Sequence, residues 1–380
     1  MKFQKTALST MLLTVAVAMS GNVQAGDQFM AAHGQSQTFT SETELPGEGS
    51  STDYKLIGGW DHSGYSSEDS LDHAGINTDI TLTSGNYDEI VGGNHVRNTN
   101  SSQTSSVMSI GNTKVTISGG SLEYAVGGSK ASTSGGTDLI NGRVEMVVSG
   151  DANISKKLVG GNYVKNSSAQ GAGATPDKGG ESVVGDIDLT LQGGTFEGMV
   201  IGGSFAENYT EKSEEGFAMK LSTQTGKINT TVTGGTYNGD VVGGSAASGK
   251  NSAVQNESSS LTISLTGDGT PAFKKDTRIV GGNFVSGEST SSLTTGDAGV
   301  VIDGNGKLDV ASNIVGGDLI EQHSLGNVGA SSKIQGTSSV TISAANFSTS
   351  EEIIGGSYVH AAGGTTERPA AAQVGSTRVE

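Results

Sequence analysis

Short runs in which an apolar, often β-branched residue alternates with a polar one recur along the chain, among them Val115-Thr116-Ile117-Ser118, Leu189-Thr190-Leu191-Gln192 and Val340-Thr341-Ile342-Ser343. A period of two buries one face of a strand and leaves the other wet. A Gly-Gly or Gly-Asp break usually follows. A second short strand then closes on two adjacent apolar residues and a glycine pair, as in INTTVTGGTYNGDVVGGSAA over residues 228–247. The first glycine of each pair falls at Gly58, Gly92, Gly127, Gly160, Gly202, Gly243, Gly281, Gly316 and Gly355, a spacing of 33 to 42 residues. A period in that range marks a solenoid or an array of stacked units.

After each pair comes Asn, Ser or Asp in most copies, then often an aromatic residue, then a small apolar one, as in Asn162-Tyr163-Val164, Ser204-Phe205-Ala206 and Asn283-Phe284-Val285. Polar segments such as 165–182 and 248–260 read as connections of variable length. Many close on a glycine before the next strand, at Gly111, Gly142, Gly185, Gly226 and Gly336, which suggests a third, weaker strand in each unit. The predicted fold is all-β: a right-handed parallel β-helix or β-solenoid of about nine repeats of 33–42 residues. Stacked units require the same residue type at the same corner. The third residue after the pair then points into a narrow core, and the short polar side chain at the first bonds to its equivalents or to nearby backbone. The glycines are expected to supply positive φ and close approach at a sharp turn. One coil per unit gives a stack of roughly 43 Å at ~4.8 Å per strand, and two coils give twice that. Pro46, Pro176, Pro271 and Pro369 all avoid the strand runs, as a sheet-built fold demands.

Composition sharpens this picture. The 380 residues include 60 glycines and 5% aromatics, without the three-residue period of collagen, and no cysteine for disulfides or thiolate metal sites. Residues 1–25 have a basic start, an apolar stretch over Met11–Met19 and Val23-Gln24-Ala25 before the cut, the pattern of a secretory signal peptide cleaved after Ala25. Cleavage removes Lys2 and Lys5 and no acid, moving the formal charge from −17 to −19. Such a balance repels nucleic acid and anionic lipid. The expected layout is a signal peptide (1–25), a lead or cap segment (26–55) and a solenoid domain (56–380). The last stretch, Gly375-Ser376-Thr377-Arg378-Val379-Glu380, aligns with Gly111–Thr116, so the final repeat reads as cut short.

Candidate chemistry is sparse. Residues 244–251, GSAASGKN, approach a phosphate loop but put Asn251 where Ser or Thr belongs, and no helical pattern follows. The stretch from Asp61 to His73 gathers His62, Glu68, Asp69, Asp72 and other groups that could meet a divalent ion, at no recognised ligand spacing; a solvated acidic loop is the alternative. The calcium-binding glycine repeat and the G-x-S-x-G nucleophile motif are absent from the sequence. His95 occupies a slot filled elsewhere by Lys130, Tyr163 and Phe205. Asp186 and Asp188 are expected on one outer strand face, with Asp303 and Asp309 a looser pair and no evident basic partner for either; paired carboxylates are what a glycan-cleaving site would need. Tyr87, Tyr124, Phe196, Tyr237 and Phe347 fall at similar places in their units, forming a core ladder if inside and a sugar or protein platform if outside. No catalytic, cofactor-binding or metal-ligating set emerges.

The signal peptide, the repeated strand-GG-strand-VGG[NS] units and the absence of cysteine resemble the passenger region of bacterial autotransporters, the adhesin-like β-solenoids of Gram-negative outer membranes. The resemblance covers residues 56 to 380. It implies a β-helical stalk, export across both membranes to the cell surface, and a C-terminal membrane barrel that is missing before Glu380. The functional expectation is a non-enzymatic, secreted or surface-exposed adhesin-like passenger that displays variable loops to a host surface, a glycan or another cell. Alternatives are a carbohydrate-active β-helix enzyme, a polysaccharide lyase or glycosidase, and a purely structural or self-associating surface protein built on open strand edges.

Overall fold

A computed structural model describes residues 28–40, 54–63, 71–98, 106–133, 137–166, 180–208, 221–266, 270–288, 290–322, 329–361 and 371–380. Among them there is no helix, and every strand pairing is parallel. The chain is an all-β parallel β-solenoid. The proposed signal peptide lies outside the described residues.

Strands that precede the glycine pairs, such as Asn86–Val91 and Ser121–Val126, stack in one sheet. Strands that follow the pairs, such as Lys130–Thr133, Tyr163–Asn166 and Phe205–Asn208, form a second sheet of nine. Lys130 pairs with His95 on one side and Tyr163 on the other, so the pairing step equals the spacing of the glycine pairs. One sequence unit therefore makes one coil. A third, broad sheet holds two columns side by side: the opening strands, such as Thr113–Ile117 and Val144–Val148, and the closing strands, such as Thr137–Asn141 and Glu181–Val184. The third strand inferred from the closing glycines is real. In Leu221–Val232, Ser252–Leu265 and Ser331–Ile342 it runs unbroken into the next opening strand.

Two expectations need correction. Residues 252–260 belong to a continuous strand and not to a connection, because their inward positions include Ser252 and Asn256 and so hide the alternation from hydropathy. The paired glycines do not have positive φ. That conformation occurs at the break glycines instead, including Gly85 (φ 104°) and Gly120 (φ 89°). The lead segment contributes strands to the stack: Gln28–Ala31 pairs with Tyr54–Ile57, and Gln37–Phe39 with Ile80–Leu82.

Two successive apolar residues precede each glycine pair because each faces a different interior. Ile90, Ala125, Leu158, Val200 and Val241 join the main core between the pre-glycine and broad sheets. Their neighbours Val91, Val126, Val159, Ile201 and Val242 face the other way and pack with Tyr163, Phe205 and Phe284 in the reentrant corner between the pre- and post-glycine sheets. The third residue after the pair, Ala131, Val164, Ala206 or Ala247, turns inward against Leu139 and Val254 of the closing strands.

Candidate functional site

The corner is held by an approach that only glycine allows. A Cβ on Gly92 would lie 2.0 Å from the Gly127 carbonyl oxygen of the next coil, and one on Gly127 2.2 Å from that of Gly160. At the second glycine the obstacle is the polar residue that follows the next pair: 2.2 Å to Asn162 Oδ1 from Gly128 and 2.3 Å to Ser245 Oγ from Gly203. Those side chains form a buried ladder. Each accepts a hydrogen bond from the backbone N–H of its equivalent one coil earlier: Trp60 to Asn94 (3.1 Å), Asn94 to Ser129 (2.9 Å), Ser129 to Asn162 (2.7 Å), Asn162 to Ser204 (3.2 Å) and Ser204 to Ser245 (3.0 Å). The run continues from Ser245 to Asn283 (2.8 Å), Asn283 to Asp318 (2.6 Å) and Asp318 to Ser357 (3.1 Å). Closing strands complete it, with Ser129 Oγ donating to Asn141 (2.7 Å) and Asn162 Nδ2 to Ser182 (2.9 Å). The ladder thereby satisfies groups that would be expensive to bury alone.

The reentrant side of the same corner carries charge. Asp61 meets His95 Nδ1 at 2.8 Å, and Lys130 Nζ meets Glu89 at 2.5 Å beneath the rings of Tyr124 and Tyr163. Buried Glu207 accepts from Tyr163 Oη and from Lys157 (2.8 Å), with Lys165 at 3.9 Å. Arg278 bridges Asp240 and Glu321. Burial alone would lower its affinity for the proton, but those two carboxylates outweigh burial and raise it. Each pair joins residues of different coils, so the column clamps coil to coil over an apolar corner. Sequence reasoning missed this column. Its signal was an ionisable residue three places before the first glycine (Lys55, Glu89, Lys157, Asp240, Arg278) with partners three or five places after one (His95, Lys130, Lys165, Glu207, Glu321).

His95 does share its column with Lys130, Tyr163 and Phe205. Asp186 and Asp188 part company. Asp186 Oδ1 accepts the backbone N–H of Lys227 at a corner (2.9 Å), whereas Asp188 lies on the outer face of the broad sheet and does have a basic partner, Arg143, along with Asn229 at 3.0 Å. Burial would raise the Asp188 carboxyl, but the Asn229 and Arg143 hydrogen bonds outweigh it and hold the group below the usual carboxylate range. Asp303 sits in the strand Ala298–Gly304, and Asp309 in the separate strand Lys307–Val310, bonded to Ser348 and Lys307.

The aromatic residues split by face. Tyr87, Phe196 and Tyr237 are inside, with Phe196, Tyr237 and Phe273 stacked at 4.9 and 5.0 Å and Phe347 at the core edge. Tyr124 is two places further along its strand, paired with Glu89 and Lys157 on the reentrant face. Residues 64–70 of the acidic stretch, including Glu68 and Asp69, lie outside the described residues. Of the rest, His73 stacks on Trp60 at 3.7 Å, Asp72 accepts from Ser109, and His62 is buried. Among the described residues no three His, Asp or Glu side chains are placed to hold a metal ion. The phosphate-loop look-alike runs as the strand Ala246–Lys250, turns at Asn251 (φ 53°) and continues as the strand Ser252–Leu265 of another sheet, with no helix to receive an anion.

No family model, curated protein or solved structure matches this chain. What can be said of its role comes from geometry. The members of the corner ladder and of the charged column bond chiefly to one another, with the Asn141 Nδ2 and Ser332 Oγ atoms left over, and chemically they do one thing: fix adjacent coils in register.

Proposed function

We propose that the protein is an exported, adhesin-like surface protein, a solenoid scaffold of the autotransporter-passenger type that displays loops to a host surface, a glycan or another cell. The carrying observation is where length varies. The glycine corner is constant, whereas segments 64–70, 99–105, 134–136, 167–179, 209–220, 323–328 and 362–370 all connect a post-glycine strand to a closing strand. Most insertions therefore enter the stack at one corner, in register, as display from a rigid scaffold requires, with a shorter one over 266–271 at the break. The acidic composition and the signal-peptide pattern support export.

The enzyme alternative draws on Asp188 with Arg143. A carboxyl held ionised on an open strand face is poorly suited to the general-acid role that glycan hydrolysis needs. Two experiments test the proposal. An epitope inserted between Asn166 and Gly180 should label intact cells and vanish on protease shaving; labelling only after lysis would sink the surface reading. Purified chain should bind arrayed glycans or cultured host cells, and lose that binding without change in melting when 167–179 and 209–220 are shortened. Polysaccharide cleavage abolished by Asp188→Asn would favour the enzyme instead.

A further inference from the structure

The corner ladder is built from amides and hydroxyls at Asn94, Ser129, Asn162, Ser204, Ser245, Asn283 and Ser357, but one rung is a carboxylic acid, Asp318. Its side chain is fully buried. Among the described residues, the groups that hydrogen-bond to it or flank it are neutral. The preceding coil offers the Asn283 backbone N–H (2.6 Å), the Asn283 side chain and Ser292 Oγ (2.7 Å); Ser332 of the following closing strand is the neutral neighbour on that side, its buried hydroxyl without a hydrogen-bond partner; the next coil offers Ser357, which takes the Asp318 N–H. Gly282 leaves no room for rearrangement, since a Cβ there would lie 2.2 Å from Asp318 Oδ1. The charged residues of this corner, Arg278 and Glu321, pair with each other in the reentrant column, where Glu321 alternates with inward-facing Ile320.

We propose that Asp318 is a proton-responsive rung: taking up one proton tightens the stacking of its coil on those of Asn283 and Ser357, and losing it loosens them. An ionised carboxylate enclosed by neutral dipoles carries a desolvation penalty that no cation offsets, whereas the acid form resembles the amide rungs elsewhere. Burial raises this carboxyl above the usual range, with its hydrogen bonds opposing incompletely. The sign follows. A carboxyl whose folded affinity for the proton exceeds its unfolded one contributes stability in full below the unfolded pKa, and that contribution is lost as pH rises through the folded value.

Hydrogen exchange followed by mass spectrometry on the purified full chain, corrected for intrinsic exchange rates, reads this coil by coil. Between pH 7 and pH 4 the protection of peptides covering 279–288, 314–322 and 353–361 should rise, by about tenfold for each pKa unit separating the folded from the unfolded carboxyl. Asp318→Asn should flatten that rise and bring protection at pH 7 to the level the parent chain reaches at pH 4. Asp318→Ser, the residue used at Ser204 and Ser245, provides a second neutral rung. Protection in the parent chain that stays flat or falls on acidification overturns the proposal, even where neither variant folds. So does an equal rise in the parent and in Asp318→Asn.

Discussion

Replacing Gly127 with alanine isolates what the paired glycines do. The new methyl would sit 2.2 Å from the Gly160 carbonyl oxygen and 2.8 Å from Val144 Cγ1, and the first obstacle is backbone. Relief requires the two coils to part by about 1 Å, since ordinary C···O contact lies well beyond 3 Å. That strains the Gly127 N–H bond to Val159 (2.9 Å), the Gly128 N–H bond to Gly161 (3.0 Å) and the Ser129 N–H bond to Asn162 (2.7 Å). Overpacking of this kind costs ~1–3 kcal/mol, and weakening two or three buried hydrogen bonds adds ~1 kcal/mol each, so a loss of ~3–6 kcal/mol is expected. Gly127→Asn should do no better. A positive-φ site would tolerate asparagine, but this glycine is required for space and not for φ. Gly75 is the control, because a Cβ there meets nothing within 4 Å. Urea unfolding followed by circular dichroism, with hydrogen exchange to locate the loss, measures the difference. Gly127→Ala within ~0.5 kcal/mol of the parent chain, or a Gly75→Ala variant equally damaged, would refute the reasoning.

Further outcomes follow from the same contacts. Asn162→Ala orphans the buried Ser129 N–H and should destabilise by ~2–4 kcal/mol in urea titrations, more than truncating any exposed Ser of the strand edges. Glu207→Ala leaves Lys157 and Tyr163 without their buried carboxylate and should cost ~3–5 kcal/mol, while Arg143→Ala, on the open face, should leave the melting temperature essentially unchanged. His62 is held down to about 4 by burial, with His73, His95 and His33 reinforcing this and Asp61 opposing it. A base with a depressed folded pKa keeps its full stability above pH 6.5, and that stability is lost as pH falls towards 4. The N-terminal coils should therefore loosen on acidification, by on the order of 2 kcal/mol once partial solvent access is allowed for. Hydrogen exchange of peptides near 54–63 and 90–98 checks this, and His62→Phe should flatten the dependence.

The fold was legible because stacking makes each column repeat one requirement. The glycines, the small third residue after them and the closing-strand glycines all showed at a fixed phase. What stayed hidden had other causes. Closing strands put Asn141, Ser182, Asn256 and Thr294 inward, since the corner needs hydrogen-bond partners there, and a polar interior reads as a linker. The charged column changes sign from coil to coil, so no single residue type recurs. Tyr124 and Tyr87 both follow the break and look equivalent in sequence, but Leu122 is the residue that pairs with Tyr87. Asp188 looked isolated because Arg143 lies a full coil away in sequence. The positive φ went to the break glycines because the Gly-Gly corner turns without leaving the ordinary backbone region.

One glycine-pair unit makes one coil. The chain has no cysteine, so paired substitutions can test it directly. Lys114 and Glu145 are register partners on the outer face, and Glu145 in turn pairs with Asp188. On mild oxidation Lys114→Cys/Glu145→Cys should form an intramolecular disulfide, because neighbouring strands bring Cα atoms within the roughly 4.4–6.8 Å that a disulfide spans. Lys114→Cys/Asp188→Cys, two coils apart, should stay reduced. Cross-linking of the 114/188 pair but not the 114/145 pair would contradict the stacking described above.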